Sequence, residues 1–218
     1  MHLEVLVEDA SGAVVVDAAL QRILPGTGSG THTFRIHAYR GIGRIPPGLR
    51  PGTPARQRIL LDQLPRLLRG YGRSLPPSAA VVVVVDLDRQ NCLEFKQELR
   101  TLLEACHPHP VTLFRIAIEE IEAWLLGDVE ALKAAYPRAR QDVLDAYEPD
   151  SICGTWEVLA DAVDQGGAQR LRDLGWPHIG AAKHRWAADI APHLDVERNR
   201  SKSFRVFRDG VRRLVTGV

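Results

Sequence analysis

Cysteine is scarce in this chain of 218 residues, which contains three cysteines and no CxxC pair. The three stand at positions 92, 106 and 153. An odd number at these spacings argues against a disulfide framework and against a zinc ribbon. The scarcity predicts a protein of a reducing compartment, the cytoplasm.

Neither sign of charge dominates, since 28 Lys and Arg stand against 27 Asp and Glu, for a formal net charge of +1. Bulk charge therefore points to neither nucleic acid nor a membrane, and any electropositive patch must be local. The apolar runs are too short to span a bilayer, and the opening MHLEVLVEDA has acids where a signal peptide has basic residues. We predict a globular protein without a membrane partner, because 45% of its residues are hydrophobic.

Strand and helix patterns alternate through the first part of the chain. Short β-branched apolar runs are followed by segments whose apolar residues recur at helical spacing. The predicted strands are 2–9, 31–39, 79–88 and 111–118, and the predicted helices are 14–25, 54–71, 93–106 and 119–136. This order predicts an α/β sandwich with a mainly parallel central sheet flanked by helices.

Helical patterns alone follow Tyr136. We therefore predict a single domain over residues 1–218, with an α/β core of about 1–136 and a helical C-terminal extension of about 137–218. The sequence contains no internal repeat and no clear linker.

The run VVVVVDLD at 81–88 is apolar on both faces until it reaches two acids. This pattern is typical of a central strand in a parallel sheet that helices cover on both sides. The valines would hold Asp86 and Asp88 at the carboxyl end of the strand, which is where ligands bind in open parallel sheets.

Acids also follow two other predicted strands, Glu8 and Asp9 after the first and Glu119, Glu120 and Glu122 after the fourth. Converging carboxylates repel one another and raise one another's pKa unless a cation neutralises them. Their oxygens suit Mg²⁺ or Mn²⁺, so the strand ends predict a metal site for phosphodiester cleavage or transfer. The alternative is that these acids cap helices or occupy their first turns.

Two groups of basic residues are candidates for binding phosphate. Arg40 and Arg44 lie in RGIGRIPPGLRPGTP, a Gly- and Pro-rich segment at 40–54 that we predict to be an exposed loop. Lys183 belongs to a concentration of positive charge late in the chain. The alternative for both groups is a solvated surface.

Three stretches together resemble the Toprim fold, which occurs in topoisomerases, primases and overcoming-lysogenization-defect (OLD) nucleases. They are LVEDASGAVV, VVVDLDRQNCLEFKQEL and IAIEEIEAWLLGD. The chain is most similar to small stand-alone Toprim-like bacterial proteins of unassigned function, and AAKHRWAADIAPHL followed by NRSKSFRVF extends this resemblance over most of its length.

The resemblance implies a metal-dependent nuclease with DNA favoured over RNA as substrate. It assigns Glu8 as ligand or general base, Asp86 and Asp88 as Mg²⁺ or Mn²⁺ ligands, and Glu120 and Glu122 as a second-metal or orienting pair. It further implies a partner ATPase of the ABC or SMC type, in phage defence or DNA repair. The oligomeric state stays open, a dimer included.

Two departures from the Toprim pattern bear on catalysis. Asp9 stands where Toprim domains commonly have Gly after the Glu, and Arg89 follows DLD in place of a small residue. One alternative is therefore a degenerate Toprim module that binds a partner or nucleic acid without cutting it. Another is a haloacid-dehalogenase-like phosphatase with a nucleophilic Asp86, although that class places its DxD after the first strand.

Overall fold

A four-stranded, all-parallel sheet lies at the centre of the computed structural model, which describes residues 1–24, 32–39 and 60–217. Its strands are β1 (His2–Val7), β2 (Thr33–Ala38), β3 (Ala79–Asp86) and β4 (Thr112–Ala117), in the spatial order β2-β1-β3-β4. The predicted α/β fold with a mainly parallel sheet is confirmed.

The valine run forms the interior of the sheet. β3 pairs with β1 on one side and β4 on the other, and Ala79 to Val85 are all buried. Successive side chains of a strand point to opposite faces, so a strand covered on both faces must be apolar throughout. This requirement explains the lack of alternation in 79–85.

Two helices cover one face of the sheet, α2 (Leu60–Ser74) and α3 (Cys92–Glu104). They bury a hydrophobic cluster that includes Leu64, Val83 and Phe95. The opposite face is covered by α1 (Ala10–Ile23) and by the helices that follow β4.

Those later helices are α4 (Glu122–Leu126), α5 (Val129–Ala135), α6 (Gln141–Ala146), α7 (Thr155–Val163), α8 (Gly167–Leu174), α9 (Trp176–Ile190) and α10 (Lys202–Thr216), with a 3₁₀ turn at Ala191–His193. They share one core with α1 and the sheet, so the part of the chain after residue 136 packs directly on the α/β core. Among the described residues, no helix has the length and apolar character needed to cross a bilayer.

The helices differ from their predicted bounds, and capping explains the differences at α1 and after β4. α1 begins at Ala10 because the Asp9 side chain caps it, accepting a hydrogen bond of 2.6 Å from the Gly12 N–H. The predicted helix 119–136 is two helices, because the chain turns at Gly127 and Asp128 caps α5 by accepting from the Ala131 N–H.

Candidate functional site

The carboxyl ends of β1, β3 and β4 bring the predicted acids to one edge of the sheet. The strands are parallel and in register, with Val7 opposite Val84 and Asp86 opposite Ala117. The closest link is a hydrogen bond of 3.0 Å from the Asp86 backbone N–H to Glu8 Oε2. Glu8 and Asp86 are therefore neighbours across the β1–β3 pair, as the strand-end pattern predicts.

Glu8 and Asp86 are carboxyl groups in an environment that opposes their ionisation. The pKa of Glu8 is raised to about 7, mainly by burial and also by the charges of Asp88 and Asp9. The hydrogen bond from the Asp86 N–H opposes this rise. Burial likewise raises the pKa of Asp86 well above its usual value, with repulsion from Glu8 and Glu122 adding to the effect. Ionising both groups would therefore create negative charge that their surroundings compensate poorly, and a bound cation would favour the ionised forms.

Glu122 is the most deeply buried acid of this group, with 0% of its surface exposed. Apart from the contact with Lys183, neither of its carboxylate oxygens has a hydrogen-bond partner within the described part of the chain. Burial raises the pKa of Glu122 to about 7 despite the opposing attraction of Lys183. A buried carboxylate without hydrogen bonds is costly, and a nearby cation offsets that cost.

Lys183 on α9 reaches into the acidic group and forms two ion pairs. Its Nζ lies 3.1 Å from Glu122 Oε2 and 3.3 Å from Glu120 Oε1. Burial alone would lower the pKa of Lys183, but the attraction of Glu122, Glu120 and Asp86 outweighs it and raises that pKa. The lysine predicted to contact phosphate is thus an internal partner of two predicted metal ligands.

Asp88 lies at the opening of the site, where its side chain is exposed. Its backbone has a positive φ of 52° and its N–H donates to the Glu119 carbonyl at 2.8 Å. An open cleft of about 790 Å³ begins at this point. Its lining residues are Asp88–Gln90, Glu119, Glu120, Ile152–Gly154, Trp156 and Glu157.

Glu119 has a structural task in the cleft. Its carboxylate accepts hydrogen bonds from the backbone N–H groups of Cys153, Gly154 and Thr155, at 2.8–3.2 Å, where α7 begins. A carboxylate at a helix N-terminus satisfies N–H groups that have no partner within the helix. The helix-cap alternative therefore applies to Glu119 and, at α1, to Asp9.

Sequence reasoning missed the contribution of α7 to this cleft. The Thr155 hydroxyl lies 3.4 Å from Glu120 Oε2, and Trp156 lines the cleft wall. Gly154, directly before TWEVLADAV, and Thr155 at its first position signal a helix start. Nothing in the local sequence identifies Glu119 and Glu120 as the partners of this helix. Arg40 and Arg44 lie outside the described residues.

The carboxyl groups of Glu8, Asp86 and Asp88 have the donor chemistry of a Mg²⁺ or Mn²⁺ site. Within the described ranges, no three His, Cys, Asp or Glu side chains are gathered closely enough to hold a metal ion by themselves. Mg²⁺ usually binds through one or two carboxylates and completes its shell with waters and substrate phosphates. Because Glu8 and Asp86 offer carboxyl oxygens whose ionised forms a cation would stabilise, they fit such an ion.

One family model matches this chain, over residues 7–213, and is described as a domain of unknown function (DUF4276). The match extends from the end of β1 into α10 and includes all the acids of the cleft and Lys183. No curated protein and no solved structure matches the chain.

Proposed function

The chain belongs to the DUF4276 family, and from its acidic cleft we propose a divalent-metal-dependent hydrolase of phosphodiester bonds, acting on DNA in preference to RNA. One observation carries this proposal. Glu8 and Asp86 meet at the carboxyl edge of a parallel sheet, partly buried and with raised pKa, so they attract a divalent cation.

Glu8, Asp86 and Asp88 would hold the ion. When bound, Mg²⁺ or Mn²⁺ lowers the pKa of a coordinated water and stabilises the charge that develops on the phosphate oxygens. Glu8 and Asp86 would supply fixed oxygen ligands at the carboxyl edge of the sheet, because the β1–β3 pairing holds their backbones together. Asp88 is exposed at the cleft opening, where a nucleic-acid phosphate would arrive.

The Toprim resemblance supports this function through the same residues. It adds the proposal that the protein works in the cytoplasm with a partner ATPase of the ABC or SMC type, in phage defence or DNA repair. The cleft is open to solvent, which suits an extended polymer better than a small molecule enclosed on all sides.

A cleavage assay with the purified protein tests the proposal. Supercoiled plasmid, linear DNA and RNA are incubated with Mn²⁺ or Mg²⁺, with and without a candidate partner ATPase of the ABC or SMC type. We expect DNA cleavage that depends on the metal and falls at least 100-fold in Glu8→Gln and in Asp86→Asn, because each removes a charged ligand.

Glu98→Gln is the matched control, since Glu98 is an exposed acid on α3. It should cleave like the unaltered protein, which would exclude a general effect of removing one negative charge. Cleavage that persists in both Glu8→Gln and Asp86→Asn would contradict the proposal.

The second candidate is a module that binds a partner or nucleic acid without cutting. The ion pairs of Lys183 favour it, because they engage Glu120 and Glu122, two acids predicted to act in the metal site. Binding of Mn²⁺ and DNA without cleavage, with and without the ATPase, would select this candidate. Hydrolysis of p-nitrophenyl phosphate that is lost in Asp86→Asn would instead select the phosphatase.

A further inference from the structure

Lys183 lies where a second cation would have to lie to bind Glu120 and Glu122. Its Nζ is within 3.3 Å of an oxygen of each carboxylate. All three side chains are largely removed from solvent, with exposed fractions of 12% for Lys183, 18% for Glu120 and 1% for Glu122. An ammonium enclosed in this way is not a surface charge that moves aside freely.

The charges of the site explain why a cation is needed at this position. Glu122 is buried, and apart from Lys183 its oxygens have no hydrogen-bond partner among the described residues. The ammonium of Lys183 is the cation that contacts it, and Glu120 shares the same ammonium. A divalent ion bound to these oxygens would have to lie next to the ammonium, and two cations at such a distance repel each other strongly.

Glu8 and Asp86 are placed differently. They are joined by the hydrogen bond from the Asp86 N–H, and Lys183 affects them through its charge without an ion-pair contact. The acids after the strands therefore form two groups. Glu120 and Glu122 have an internal cation, the Lys183 ammonium, whereas Glu8 and Asp86 contact none among the described residues.

We propose that Lys183 takes the place of a second metal ion, so that the cleft binds one divalent cation, at Glu8, Asp86 and Asp88, while Glu120 and Glu122 serve as partners of the lysine. The inference rests on the proposed function for the first ion. Lys183 is accordingly a positioning residue, which holds α9 against the start of α4 and keeps Glu122 compensated.

The number of bound metal ions tests this inference. Equilibrium dialysis against Mn²⁺, with free Mn²⁺ measured by electron paramagnetic resonance, should give one bound ion for the unaltered protein. Lys183→Met removes the ammonium while keeping an unbranched side chain, and we expect two bound ions. Lys202→Met removes an exposed lysine of α10 and should leave the number at one.

Thermal unfolding provides a readout that is independent of activity. Without metal, Lys183→Met should melt at a lower temperature than the unaltered protein, because Glu120 and Glu122 lose their cation. Saturating Mn²⁺ should raise the midpoint of Lys183→Met more than that of the unaltered protein or of Lys202→Met.

Glu122→Gln keeps the inference testable if Lys183→Met does not fold. Glu122 is not a metal ligand in this inference, so Glu122→Gln should still bind one Mn²⁺ ion, whereas loss of an ion would overturn it. A folded Lys183→Met that binds no more Mn²⁺ than the unaltered protein would also overturn it, as would two ions in the unaltered protein. An unaltered protein that binds no Mn²⁺ would contradict the proposed function. The role of Lys183 would still be decided by whether Lys183→Met binds one Mn²⁺ ion more than the unaltered protein.

Discussion

Burial changes the properties of the acids at the strand ends. A half-buried carboxylate after a strand can act as an ordinary helix cap by accepting hydrogen bonds from backbone N–H groups, and Asp9 and Glu119 act in that way. Glu8 and Glu122 are chemically similar but sit in surroundings that raise their pKa to about 7. The difference between a cap and a candidate ligand therefore lies in the solvent and charge around each side chain.

These pKa shifts predict how the stability of the metal-free protein depends on pH. An unfolded Glu loses its proton near pH 4.5, whereas folded Glu8 keeps its proton up to about pH 7. The folded state thus binds more protons between these values, so the free energy of unfolding should fall as pH rises from 4.5 to 7 and then level off. At about 1.4 kcal/mol per pKa unit, the rise from 4.5 to about 7 makes the contribution of Glu8 on the order of 3 kcal/mol.

Glu8→Gln should reduce this fall, because its amide carries no proton to lose and its oxygen can still accept from the Asp86 N–H. The measurement is the unfolding midpoint at pH 5 and pH 8 in the presence of a chelator. Mn²⁺ added at pH 8 should stabilise the unaltered protein more than Glu8→Gln. The same pH dependence in both proteins would show that Glu8 is not the titrating group.

At the scale of elements, the break between α4 and α5 is set by packing against the segment before α10. The Gly127 carbonyl accepts from the Arg200 N–H at 2.8 Å, and the Asn199 side chain donates to the Trp124 carbonyl at 2.8 Å. A Cβ built on Gly127 would lie 2.3 Å from Asn199 Oδ1 and 3.0 Å from the Ser201 backbone N. Gly127 therefore permits a close approach that orients α4, which carries Glu122.

Gly127→Ala should destabilise the protein by about 1–3 kcal/mol, because the added methyl group displaces a buried side chain and backbone. The control is Gly180→Ala in α9, where no described atom lies within 4 Å of an added Cβ. That substitution should be stabilising by up to about 1 kcal/mol, because Ala favours the helix. Urea unfolding measures both, and equal effects would contradict the packing role of Gly127.

The whole molecule consists of one sheet between two hydrophobic clusters. Val83 and Phe95 belong to the cluster under α2 and α3, and Trp124 and Trp186 belong to the other. Because the buried strands β1 and β3 contribute side chains to both clusters, loss of the sheet exposes both. The helices after residue 136 should therefore not unfold as a separate unit.

Two probes on opposite faces of the sheet should report one unfolding transition. Trp124, Trp156 and Trp186 belong to the larger cluster, whereas Trp176 is exposed, so the change of tryptophan fluorescence on unfolding follows the larger cluster. Cys106 is fully buried in the other cluster, and its labelling by a thiol reagent, read by mass spectrometry, follows that face. Both should give the same urea midpoint.

Val83→Ala should lower both midpoints together, by about 1–3 kcal/mol, because it leaves a cavity in the central strand. Glu98→Gln, at an exposed position of α3, serves as the control and should leave both urea midpoints unchanged. Fluorescence that changes at a lower urea concentration than Cys106 labelling would show a helical extension that unfolds independently.

The sequence by itself determined the parallel sheet, the central position of 79–85 and the gathering of Glu8, Asp86 and Asp88 at one edge. These features follow from local periodicity and from the geometry of parallel strands, which are properties of short segments. Only the tertiary structure decided that Glu119 caps α7, that the helix after β4 breaks at Gly127, and that Lys183 pairs with Glu120, 63 residues away. Such contacts depend on how α7, α9 and α10 pack on the sheet, and local patterns carry no information about which distant charges that packing brings together.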